Sequence, residues 1–245
     1  NRSGTDEGQF GTITVTISTS NYQDITLTVK VSAVNQITPV PEDGTITATP
    51  ITYGNELSAS TITGTMQDPT TREEVNGTFT WVTPAEKLNA GSHDAKWTFT
   101  PDKSYGGKYT TNTGTATVTV NPKAVTVSGI TAKDKVYDGK TNATLDCSNA
   151  KFDGVLENDT LTVTVTGTFE SANAGKQKVK ISGFKLGGDS AANYVPAAEG
   201  SQRETTATIT AKQITVSITP NGGTYGSVTA AAAVLSGVVD GETVP

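Results

Sequence analysis

The residues with the clearest capacity for chemistry are aromatic. Trp81 and Trp97 are the two tryptophans of the chain, and Tyr105 and Tyr109 follow in a glycine-rich loop. Flat aromatic faces stack on pyranose rings, so these four residues are the candidate glycan contacts. A competing reading places the tryptophans in a core. Phe79 and Trp81 are two apart in one strand-like run, as are Trp97 and Phe99 in another. Residues two apart on a strand share a face, and the two runs look like facing cross-strand pairs. Buried aromatics dominate small sandwich interiors, which makes core the preferred reading.

A second group is marked by a recurring tyrosine. Tyr137-Asp138-Gly139 is echoed by Tyr53-Gly54 and by Tyr225-Gly226, at spacings of 84 and 88 residues. A ligand role would require exposed rings. The structural reading is a turn in which each ring packs at a sheet end while its hydroxyl bonds backbone, as in a tyrosine corner. Asp138 is suited to an Asx turn and Gly139 to a positive φ. These seven residues are expected to be structural turn markers.

The remaining chemistry is sparse. His93 and Cys147 are each the only residue of their type. His93 reads as part of a Gly-Ser-His-Asp turn, far in sequence from Cys147, and a nucleophilic pair needs adjacency and an orienting partner. Cys147 suits a small apolar site. Calcium needs six to eight converging oxygens, and no Asp-x-Asp-x-Asp-Gly loop is present. A Lys–Asn isopeptide bond could involve Lys133, Lys135 and Asn193, set against the ordinary alternative of exposed, salt-bridged lysines. No catalytic constellation, cofactor site or metal site is expected, and the chain does not read as an enzyme.

The net charge is −6 over 245 residues, with both signs scattered. No basic stripe exists to neutralise phosphates, which argues against nucleic acid as a partner. No apolar run approaches a membrane span, so direct membrane insertion is not expected. One cysteine excludes an intramolecular disulfide and leans towards a bacterial surface protein over a disulfide-stapled eukaryotic module.

Alternating runs position these residues. Residues 12–18 and 24–31 place apolar side chains at every other position, and the polar link between them predicts a hairpin. Residues 1–36 thus read as the closing strands of a module. Residues 37–122 read as a complete module, with a strand expected over 57–65. Residues 123–212 repeat the plan, and 213–245 read as the opening part of a further copy. Gly77-Thr78-Phe79 recurs as Gly167-Thr168-Phe169, and Asn89-Ala90-Gly91 as Asn173-Ala174-Gly175. Gly154-Val155 and Asp159-Thr160 return as Gly237-Val238 and Glu242-Thr243 at a constant offset of 83. The fold class predicted is all-β: tandem small antiparallel Ig-like β-sandwich modules in an extended rod. Linkers of two or three residues should make neighbouring modules of the same chain partners. The terminal pieces are expected to pair with adjacent modules or with neighbouring molecules, because unpaired strand edges seek partners.

The stretch from Lys135 to Thr141, with Gly167-Thr168-Phe169, Asn173-Ala174-Gly175 and Ala192-Asn193-Tyr194, resembles the YDG-type repeat domain. Ile51-Thr52-Tyr53-Gly54 through Trp81, and residues 218–226, resemble the related MBG-type (YGX) domain. Residues 1–36 are similar to the last strands of another such repeat. The resemblance implies Ig-like repeats of a bacterial cell-surface or secreted protein, extracellular in location, acting as an adhesin stalk that projects a binding region. It transfers no catalytic residues. The alternative reading is a module that binds glycan or a host surface protein through exposed aromatics or loops.

Overall fold

The computed structural model describes residues 8–33, 35–219, 225 and 232–244. It is all-β with curled sheets, relieved by single-turn 3-10 helices. The chain divides into two compact units, Asn1–Asn121 and Pro122–Pro245.

The first unit opens with the antiparallel pair β1 (Gly8–Thr19) and β2 (Tyr22–Ala33). Ile13 faces Val29, Val15 faces Leu27 and Ile17 faces Ile25, so one side of the ribbon is apolar and exposed. The rest of the unit is built on β3 (Gly77–Trp81), β4 (Gly91–Pro101) and β5 (Asn112–Asn121). β5 is central, with β4 antiparallel on one side and Ile51–Thr52 running parallel to its end on the other. Period-2 alternation sends Ala95, Trp97, Phe99, Ala116, Val118 and Val120 into the core, while Lys96 and the threonines of β5 stay wet. Phe79 lies opposite Phe99, and Trp81 opposite Trp97. Gly114 faces the Trp97 indole, where an added Cβ would stand 2.3 Å from Cζ2. The strand expected over 57–65 is instead a 3-10 turn, Leu57–Ala59, followed by the short strand Ile62–Thr63. That turn buries Leu57 completely, and core packing overrides the apolar alternation there.

The second unit contains β6 (Lys123–Ser128), β7 (Thr162–Phe169), β8 (Gly175–Gly187) and β9 (Glu204–Thr210). A five-stranded sheet runs Lys135–Val136, β9, β8, β7, Asn142–Ala143. A three-stranded sheet places β6 between Lys151–Asp153 and Tyr194–Pro196. Val127, Ile130, Val163 and Ile181 form one buried cluster, and Phe169, Val179, Ala207 and Ile209 another. Lys176, Lys178 and Lys180 occupy the wet face of β8. The unit ends in the antiparallel pair β10 (Thr215–Thr219) and β11 (Ala232–Ser236).

Candidate functional site

The tyrosine turns are placed by β-structure on their N-terminal side. Lys135–Val136 pairs in parallel with Ile209 and Thr210, and the Tyr137 N–H then donates to the Thr210 carbonyl at 2.9 Å. In the first unit, Ile51–Thr52 pairs in parallel with Val120 and Asn121, and the Tyr53 N–H donates to the Asn121 carbonyl, also at 2.9 Å. Each tyrosine therefore leaves the sheet beside the last residue of a long closing strand. Gly54 turns the chain with φ 95° and Gly139 with φ 71°, conformations open to glycine at no steric cost.

Asp138 closes an Asx turn by accepting the Lys140 N–H at 2.9 Å. The Lys135 ammonium sits 2.6 Å from Asp138 Oδ1 and also donates to the Lys140 and Asn142 carbonyls, at 2.8 and 3.3 Å. Its three protons are thus committed to holding the turn. The Lys135 hydrogen bond, then the Lys140 N–H, hold the Asp138 carboxyl below the usual aspartate range. Lys135 is a staple for this turn.

Another tyrosine is anchored by a carboxylate. Tyr194, paired in parallel with Lys123, donates its hydroxyl to Asp159 Oδ2 and accepts the Leu156 N–H at 2.9 Å. Residues 121–202 match the model of the YDG domain. A YDG domain occupies this stretch. Its match ends before β9, although β9 supplies the strand beside which Tyr137 turns. The comparison with curated proteins found no match.

Outside the YDG domain, the first unit repeats the tyrosine–aspartate device. Tyr109 bridges Ile37 in parallel and donates its hydroxyl to Asp68 Oδ2 at 3.0 Å. Asp68 is 1% exposed and accepts the N–H groups of Thr70 and Thr71 at 2.8 and 3.1 Å. Those two N–H bonds lead the effects that lower its pKa; the Tyr109 hydroxyl and the Lys108 charge add to them. Asp68 lies in a polar loop of the sequence, and only the return of the chain at Tyr109 distinguishes it from its neighbours.

The proposed glycan contacts are mostly interior. Trp81 is buried and donates its Nε1–H to the Ser60 carbonyl at 2.7 Å. Trp97 is 2% exposed and meets Phe79 edge-on at 5.2 Å. Tyr109 is buried at Asp68. None of these three offers a face on which a sugar ring could stack, because each ring fills the first unit's core. Tyr105 is half-buried, accepts the Asn76 N–H at 2.9 Å and packs edge-on against Tyr109.

The other sequence candidates are separated. His93 lies on β4, not in a turn, and its Nε2–H donates to the Asn89 carbonyl at 2.7 Å. Gln177 does the same to Asn173 in the YDG domain, at 3.0 Å. Cys147 is half-buried beside an apolar cluster, and burial pushes its thiol pKa up. Among the described residues, no group of three or more His, Cys, Asp and Glu could hold a metal. No described helix is long and apolar enough to cross a membrane.

Tyr137 departs from the tyrosine-corner expectation. Its hydroxyl donates to the Glu242 carboxylate and not to backbone. That bond, with burial and the Glu242 charge, raises the Tyr137 pKa above the ordinary tyrosine value. Tyr225 is fully exposed, and Gly226 lies outside the described residues.

Proposed function

We propose that this chain is a non-catalytic spacer made of Ig-like β-sandwich modules, a segment of a bacterial cell-surface or secreted adhesin-like protein. In this reading residues 37–122 are an MBG-type module, 123–212 the YDG module, and 213–245 the start of a further MBG-type module. Residues 1–36 are the closing strands of a preceding one. The modules stack in tandem and project a binding region by length and stiffness.

The observation that carries this reading is a backbone turn that repeats from copy to copy. Gly154 and Gly237 share φ values of 94° and 92°, and Asn158 and Gly241 share 74° and 84°. The Asp159 N–H donates to Leu156 O at 3.2 Å, and the Glu242 N–H to Val239 O at 3.1 Å. Thr126 faces Asp153 as Thr215 faces Ser236. The same turn thus returns from copy to copy with its glycine, its valine and its carboxylate position kept, as a spacer built by repeating one module requires.

Small-angle scattering of the chain tests the rod. A compact globule of this length has a radius of gyration of about 18 Å. The spacer reading requires a clearly larger value with an elongated profile, and a compact one would sink it. A glycan array tests the binding alternative. Reproducible binding that is lost in Tyr105→Ala, with folding intact, would replace the spacer reading.

A further inference from the structure

Tyr137 lies in the YDG domain and its backbone is held by β9, yet its side chain is satisfied by a residue 105 positions away. If the tyrosine served the turn alone, its hydroxyl would find a partner in the turn or in the adjacent strands. The Asx bond and the Lys135 staple already close that turn without it.

Three further observations bring the same distant segment to this place. Val239 Cγ1 and Glu242 Oε1 lie 3.4 and 3.5 Å from where a Cβ on Gly139 would stand. These are ordinary van der Waals distances, so residues 239–242 lie against the turn at Gly139. A groove of about 380 Å³ is lined by both segments, with Tyr137, Ala174 and Ala211 from the first and Val238, Val239 and Glu242 from the second. Finally, Glu242 occupies the turn position that Asp159 holds in the YDG domain, where the carboxylate takes the Tyr194 hydroxyl. The 237–242 turn is therefore built to present a carboxylate, and in this chain it presents it to Tyr137.

We propose that the Tyr-Asp-Gly turn is a docking seat for the 237–242 turn of the segment that follows it. The Tyr137–Glu242 hydrogen bond is the latch, and residues 239–242 lie beside the turn at Gly139. The seat selects a following segment with an acidic residue at this turn position and small aliphatic residues before it. It holds the β10–β11 pair in a fixed orientation to the YDG domain. This goes beyond the spacer reading and does not depend on it, since a binding module would need the same junction.

The test uses the full chain with spin labels at Lys178→Cys on β8 and Ser217→Cys on β10, in a Cys147→Ala background. Both labelled positions are exposed. The expected result is a narrow distance distribution. In Tyr137→Phe or Glu242→Ala, the undocked part of the distribution should grow about two- to tenfold, the shift a lost hydrogen bond of ordinary net strength produces. The double variant should be no broader than either single one, because the two residues act as a pair. A broad distribution in the parent chain overturns the proposal. So do narrow distributions in both single variants, or effects that simply add. If Tyr137→Phe also lowers the melting temperature of the YDG domain, Glu242→Ala decides alone, since Glu242 lies outside that domain. An undisturbed distribution in that variant then overturns the latch.

Discussion

At the scale of single residues, the buried aspartate of the first unit makes the sharpest commitments. Asp68 is enclosed by two N–H donors and the Tyr109 hydroxyl. Tyr109→Phe should lower the unit's melting temperature by several degrees, because a buried acceptor loses its donor while the ring still fits. The pH dependence follows from the lowered pKa of Asp68. Its unfolded value is about 4, so the ionised carboxylate's contribution is fully present above that pH. It is withdrawn as the pH falls through the lower folded value. Melting curves from about pH 6 to about pH 3 should therefore fall less steeply in Asp68→Asn than in the parent. Asp138 and Asp146, also held below their usual range, keep some acid sensitivity in that variant. Tyr137 moves in the opposite sense. Glu242→Gln should bring its ionisation back towards the ordinary tyrosine value, read as phenolate absorbance, because the neutral amide is a weaker acceptor and carries no charge. A purely structural tyrosine would not respond. Neither aspartate–tyrosine pair was legible in the sequence, where Asp68 and Asp159 were two carboxylates among many in polar loops.

At the scale of elements, the strands were legible and their exceptions were not. Threonine–apolar alternation marked β1, β2, β5, β7 and β9, because a pleated strand with one buried face imposes a period of two. A strand was also expected over 57–65, where the chain first tightens into a 3-10 turn that buries Leu57 and only then forms the short strand Ile62–Thr63. Propensity is a weak prior against a core that needs one side chain at one depth. Glycines explain further departures. Gly114 lies near the start of β5, where the Trp97 indole occupies the space of its Cβ. Gly114→Ala should cost about 1–3 kcal/mol in chemical denaturation, the range for forcing extra volume into a packed interior. Gly91 and Gly175, with φ 133° and 130°, open β4 and β8 in the same manner. The recurring Asn-Ala-Gly motif records that geometry, and His93 and Gln177 close it through the same bond to the asparagine carbonyl.

At the scale of the whole molecule, two compact units each carry their own buried clusters. Trp97→Ala should destabilise the first unit by about 3–5 kcal/mol, the usual cost of deleting a large core aromatic. Amides of β8 in the second unit should keep their exchange protection in that variant. Loss of protection in both units at once would mean that the cores fold as one. The fused aromatic cluster of the first unit also bears on function. Trp81 and Trp97, the flattest surfaces a sugar could use, are spent on Phe79, Phe99 and the β5 glycine. What remains on the outside of β4, β5 and β8 is mainly threonine and lysine, with Ser92, Asp94, Asn121 and Ser182.

The sequence by itself determined the all-β class, most of the long strands and the positions of the tyrosine turns. Those are encoded in short-range patterns: alternation, turn glycines and repeated words at a constant offset. Tertiary structure alone decided what the aromatic and acidic side chains do. Tyr109 meets Asp68 across 41 residues, Tyr194 meets Asp159 across 35, and Tyr137 meets Glu242 across 105. A hydrogen-bond partner is chosen by where the chain returns in space, and no local period records that. For Tyr137 the tertiary structure adds to the turn that its sequence marks a hydroxyl bond to Glu242, in the segment that comes after it.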